Sequence, residues 1–142
     1  MSLALIRAAL RTTVDAMAGV TACYPRLPET KPTEALFAII ETPSGEVQPY
    51  GTDIERREYV TNVYFATKRT GDLWAEQTTV EPYVDSFPTA MQSAFTLGGT
   101  TYGTRYAEPA WEMVELQIDD QAYLAIKFSV LHKQKLAVTY TG

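Results

Sequence analysis

The chain has 142 residues, enough to bury one ordinary hydrophobic core, and its 46% apolar and 20% charged residues are those of a folded globular protein rather than a disordered one. The net charge of −5 is unevenly spread: acids and bases balance up to Gly71, whereas Asp72 to Asp120 holds nine acids against Arg105 alone, and the lack of a basic patch argues against a direct grip on DNA or RNA. A single cysteine, Cys23, excludes an internal disulfide framework and a cysteine-based zinc site, and reads as a buried structural thiol compatible with a reducing cytoplasm.

Leu3, Ile6, Leu10, Val14 and Met17 recur at helical spacing, with Arg7, Arg11 and Asp15 off the stripe, which predicts an amphipathic helix stopped by Gly19. The two arginines interrupt this apolar start well short of the roughly 20 residues a membrane span needs, so neither a signal nor a transmembrane segment is expected. Pro25, Pro28 and Pro32 then restrict the backbone to an irregular surface crossing. Leu36 to Glu41 and Tyr59 to Ala66 are rich in strand formers. Between them, Pro43 to Arg57 carries two prolines, two glycines and several charges, and is expected to be a long exposed loop within or beside a hairpin, of a length often used for binding.

Asp72 is placed as the N-cap of a second helix whose stripe is Leu73, Val80, Val84, Phe87, Met91 and Phe95. Pro82 and Pro88 fall inside it and predict a kink or a break, and Leu97, Gly98 and Gly99 end it. Gly98, Gly99 and Gly103 follow a helix rather than a strand, so they read as helix termination and a turn, not as a phosphate loop. Trp111 to Ile118 and Ala122 to Lys133 form a hairpin about Asp119, Asp120 and Gln121. Leu124, Ile126, Phe128 and Val130 make its core face. The expected fold is α+β, an antiparallel or mixed sheet covered by two helices in the order α-β-β-α-β-β, forming one domain over residues 1–133 with 134–142 as a C-terminal tail or extra strand.

Chemistry is sparse. His132 is the only histidine, lies in register with the core face and has no ligand or triad partner at a useful spacing. Asp119 and Asp120 read as solvated turn residues. No catalytic, metal or cofactor residues are assigned, and the chain is not expected to be an enzyme. Glu112 and Glu115, the best carboxylate pair, should face opposite ways on a strand. Trp74 falls with Glu81, Asp85 and Gln92 on a band away from the apolar stripe. An exposed tryptophan there would anchor an interface, whereas rotation at the proline break would bury it.

The layout as a whole resembles the tail terminator proteins of long-tailed bacteriophages, from about Leu3 to Lys133. It comprises an N-terminal helix, a proline-broken crossing, two strands about a long loop and a Trp/Val/Phe helix ending in Thr96-Leu97-Gly98-Gly99. A closing hairpin through Tyr123-Leu124-Ala125-Ile126-Lys127-Phe128-Ser129-Val130 follows. The resemblance implies a virion subunit, assembled in the host cytoplasm, that forms a hexameric ring on the last ring of tail-tube protein. It would stop tube polymerisation and present a surface to the head connector or stopper protein, with DNA only passing through the lumen and no membrane involved. The prolines within the second helix and the length of chain after Lys133 depart from the pattern.

For such a role the candidate assembly residues are Tyr50, Asp53, Arg56, Arg57, Trp74, Glu81, Leu136, Val138 and Tyr140, the last three on an alternating tail able to add a strand to a neighbour. Asp85, Glu112 and Glu115 are candidates for an acidic channel lining that repels phosphate, against the plainer reading of a solvated acidic face. Two alternatives stand beside this one. They are another head-to-tail joining component, such as a stopper or completion protein, and a small-molecule binding module with a pocket of Tyr59, Tyr64 and Trp111.

Overall fold

The computed structural model describes residues 3–49, 54–93 and 103–137. In chain order these form α1 (Leu3–Asp15), β1 (Cys23–Tyr24), β2 (Leu36–Pro49), β3 (Ile54–Lys68), α2 (Leu73–Val80), α3 (Tyr83–Ser93), β4 (Gly103–Ile118) and β5 (Gln121–Ala137). The five strands make one mixed sheet in the order β1-β2-β3-β5-β4, with β1 parallel to β2 and every other pair antiparallel. The α+β class is therefore as expected, while the order α-β-β-α-β-β needs two corrections. Ala22 accepts a backbone hydrogen bond from Ala38 and a two-residue strand, β1, adds to the sheet. The second helix is divided at Glu81 and Pro82, as its proline predicts.

All three helices lie on one face of the sheet. Alternation along the strands sends Ala38, Ile40, Val63, Phe65, Leu124, Ile126, Phe128 and Val130 to that face, where they bury Leu10 and Val14 of α1, Val80 of α2 and Tyr83, Phe87 and Met91 of α3. Phe65 stacks on Tyr83 at 4.5 Å between ring centroids, and Phe87 meets Phe128 at 4.7 Å. On the opposite face Phe37, Ile39, Ala66, Ile118, Tyr123 and Ala125 form a second cluster. The proline-rich crossing runs from the β1 edge to the β4–β5 turn, where Lys31 pairs with Asp120 at 2.7 Å. Along the way Tyr24 donates to Glu34 and Thr67 donates to the Ala35 carbonyl.

The strands are much longer than the alternating runs of sequence suggest. The segment from Pro43 to Arg57, expected as a long loop within or beside a hairpin, is itself mostly paired strand: Ser44 pairs with Val60 and the ladder continues to Pro49 opposite Glu55. Its prolines are tolerated for positional reasons. β1 covers only Ala38 and Ile39, so among the described residues the outer side of β2 beyond them meets no strand, and Pro43 falls in a bulge between Glu41 and Ser44 where two residues oppose Thr61 alone. Gly103, expected in a turn, opens β4. The boundary expected after Lys133 falls inside β5, whose pairing with β3 continues to Ala137 opposite Ile54.

α1 ends at Asp15, earlier than the stop expected at Gly19; Gly19 lies in the turn that follows with φ +85°, and a Cβ there would stand 2.7 Å from the Tyr83 hydroxyl, which donates to the Ala18 carbonyl at 2.8 Å. Gly71 has φ +96° with open space around it. Gly71→Ala should therefore cost only left-handed strain, about 1 kcal/mol, whereas Gly19→Ala adds a clash that displaces Tyr83 and should cost about 2 kcal/mol or more. Urea unfolding of the two variants measures the difference.

Candidate assembly surfaces

Trp74 stands in the first turn of α2, which Asp72 caps by accepting from the Ala75 amide at 3.2 Å. What decides its direction is Glu76. That carboxylate is turned inward and is 3% exposed. It accepts from the Thr70 and Gly71 amides and from Arg69, whose Nε lies 3.0 Å away. Burial pulls its pKa upward, but the two amides and the guanidinium outweigh that and hold it below the usual carboxylate range. With Glu76 and Val80 inward, Trp74 lies about 200° round the helix from Glu76 and is 80% exposed, with Glu81 exposed beyond it on the same outer face. Leu73, placed on the apolar stripe by its spacing, is instead 47% exposed, because the inward position of the first turns belongs to Glu76.

Arg56 and Arg57 lie in β3 and Leu136 in β5, opposite Glu55, so three of the candidate interface residues share one projecting part of the sheet. Tyr50, Asp53, Val138 and Tyr140 lie outside the described residues. The three candidate channel residues are not brought together. Register places Glu112 opposite Lys127 on the face away from the helices, 3.8 Å from its ammonium, and Glu115 opposite Leu124 on the helix face, 2.8 Å from Arg69. Asp85 is exposed in the first turn of α3. Tyr59 and Trp111 pair with helix-face residues, while Tyr64 is turned to the other face and donates to Glu41 at 2.9 Å. These aromatics line no common pocket.

Two features had no signal in the sequence. The first is a cavity of about 230 Å³ between α1, β1 and β2, with Arg7, Arg11, Tyr24, Pro25 and Ile40 among its walls. Arg7 donates to the carbonyls of Pro25 and Ile40, at 2.6 and 3.2 Å, and its Nε is buried with no acceptor. Cys23, also in the wall, has its thiol pushed up to about 11, chiefly by burial, and stays protonated. The second is a polar run on the far sheet face beyond the apolar cluster, in which Ser129 donates to Asn62, and Asn62 and Tyr64 both donate to Glu41.

His132 occupies the core face, as its register predicts, and is fully buried at the outer end of the core. Neither ring nitrogen has a hydrogen-bond partner, nor do the buried hydroxyls of Thr61 and Tyr106, both of which flank Val130 in the ladder. Among the described residues no group of three or more His, Cys, Asp or Glu side chains is placed to hold a metal ion, and no helix is long and apolar enough to cross a membrane. The chain matches no protein-family model, and a search among curated proteins finds no significant match.

Burial lowers the His132 pKa to about 4, from about 6.5 in the unfolded chain. Between these values the unfolded state binds a proton that the folded state refuses, so stability should be complete above about pH 6.5 and fall as the pH drops toward 4, by up to about 3 kcal/mol. Glu76 has its pKa lowered on folding, and its contribution should be lost only at more acidic pH, below the ordinary carboxylate value. Urea unfolding from pH 7.5 to 4.5 should show the slope in the parent chain and a flatter profile in His132→Leu. An unchanged slope would assign the acid sensitivity to other groups.

Proposed function

We propose that the chain is a structural subunit, a tail terminator of a long-tailed phage, which closes into a ring on the end of the tail tube, halts tube polymerisation and offers its other side to the head connector. The observation that supports this most directly is the length of the sheet relative to its cover. β5 has 17 residues and spans roughly 55 Å, while the 13-residue α1 spans roughly 20 Å. Among the described residues the helix-packed face is followed as far as Ile40, Thr61 and His132, and β2, β3 and β5 continue as paired strands to Pro49, Ile54 and Ala137. Ordering that much paired backbone costs about 1 to 2 kcal/mol per residue, and strands this much longer than α1 extend the sheet into an arm. In a ring the arm has a use, because it reaches a neighbouring subunit or the tube beneath.

The reading also accords with what carries no chemistry here. The middle of the chain is acidic, its carboxylates at Glu76, Glu112 and Glu115 are tied to cations, and its exposed large aromatics among the described residues, Trp74 and Trp111, are tryptophans, a side chain enriched among interface hot spots. The decisive experiment combines the purified chain with tail-tube protein and measures native mass and tube length by light scattering and electron microscopy. Six-fold particles seated on tube ends, with elongation arrested, are expected. A monomer without effect on tube growth would overturn the proposal, and a ring that ignores tubes but binds connector rings would move the chain to another level of the neck.

A further inference from the structure

We propose that the cavity between α1, β1 and β2 receives Trp74 of a second copy of this chain, with Glu81 of that copy set against Arg11. The inference rests on the ring proposed above and identifies the contact that would build it. The two surfaces complement each other in size, character and charge. At about 230 Å³ the cavity falls below the ~300 Å³ at which pockets for small-molecule ligands begin, and suits one large side chain. Its walls combine apolar surface from Tyr24, Pro25 and Ile40 with two guanidinium groups. Arg7 is fixed in place by two carbonyls and retains a buried Nε without an acceptor. An indole is apolar enough for the walls and presents the electron-rich face that a guanidinium favours.

The charges agree as well. Arg11 is exposed and shares only an exposed pair, at 3.5 Å, with Asp15, so it is available to a stronger partner. On the opposing surface Glu81 follows Trp74 by seven residues, two turns and roughly 10 Å along the helix, within reach of an arginine at the cavity rim. The two surfaces are also well separated in one molecule: α1 packs against β1, β2 and α3, whereas α2 packs against β3 and β5. Trp74 therefore cannot fill the cavity of its own chain, and the contact joins unlike surfaces of successive copies.

The test compares native mass against concentration for the full chain and for Trp74→Ala, Arg11→Glu, Glu81→Arg and the double exchange Arg11→Glu/Glu81→Arg. All these side chains are exposed, and circular dichroism checks that each variant remains folded. Trp74→Ala and Arg11→Glu should each raise the half-assembly concentration at least tenfold, and the double exchange should recover most of the loss seen in either single charge variant. A parent chain that forms rings while Trp74→Ala and Arg11→Glu assemble normally would overturn this contact and leave the ring intact. A parent chain that is monomeric both alone and on tubes would instead overturn the function proposed above. A monomer that nevertheless binds tubes through Trp74 would assign the tryptophan to the tube protein and remove the second copy as its occupant.

Discussion

The face-to-face contact of Phe65 with Tyr83 is the point through which the helices are held to the sheet. Phe65 lies on β3, the central strand of the sheet, and also touches Phe87 and Phe128, so one side chain couples β3, β5 and α3. Tyr83 carries the coupling further, since its hydroxyl reaches back 65 residues to the Ala18 carbonyl and ties down the turn that follows α1. The glycine in that turn is then required twice over, by its left-handed backbone and by the hydroxyl lying against it. The position of α1 in turn forms one wall of the cavity, because Arg7 and Arg11 project from that helix toward β1 and β2. Aromatic packing at the centre thus sets a surface feature at the edge.

Sequence periodicity was a good guide wherever one residue type had one physical meaning. The Leu10 and Val14 stripe, the Asp72 cap, the break at Pro82, the turn at Asp119 and the core alternation from Leu124 to His132 are all local patterns with local causes. The failures share a different origin. Pro43, Gly45 and Pro49 resemble loop punctuation, but whether a proline interrupts a strand depends on whether the neighbouring strand needs its amide. Beyond Ile39, β2 has no partner strand on its outer side among the described residues. Likewise the parallel pairing of β1 depends on contacts fifteen residues apart. Glu76 looked like one more surface acid in an acidic stretch, and only the convergence of Arg69 with two turn amides makes its burial affordable. Of the candidate sites, Trp74 was legible because helical geometry gave it a direction. The cavity was not, because its walls come from three elements far apart in sequence.

Around Val130 on the helix face, Thr61, Tyr106 and His132 carry buried polar atoms that make no hydrogen bond. Each such atom forgoes about 1 to 3 kcal/mol relative to a satisfied one. A layer built this way contributes less to stability than the aromatic centre two residues behind it, and the β3–β5 ladder passes through it unbroken.

A two-fold pairing of the Trp74 surfaces would be poorly suited to this charge distribution. A self-complementary contact sets each residue against the copy of its neighbours, and here that would bring Glu81 and Asp85 against their own counterparts, with Arg11 and Arg7 remote on α1. Like charges in that arrangement repel, whereas the unlike surfaces of the proposed contact would attract. In the proposed assembly the acidic middle of the chain would act on geometry as much as on strength, disfavouring a closed dimer and favouring a head-to-tail contact. A head-to-tail contact repeats until it either closes on itself or runs on as a filament. Which of these happens depends on the angle between the cavity and the outer face of α2. That angle is set by the same aromatic packing that seats α1 and α3 on the sheet.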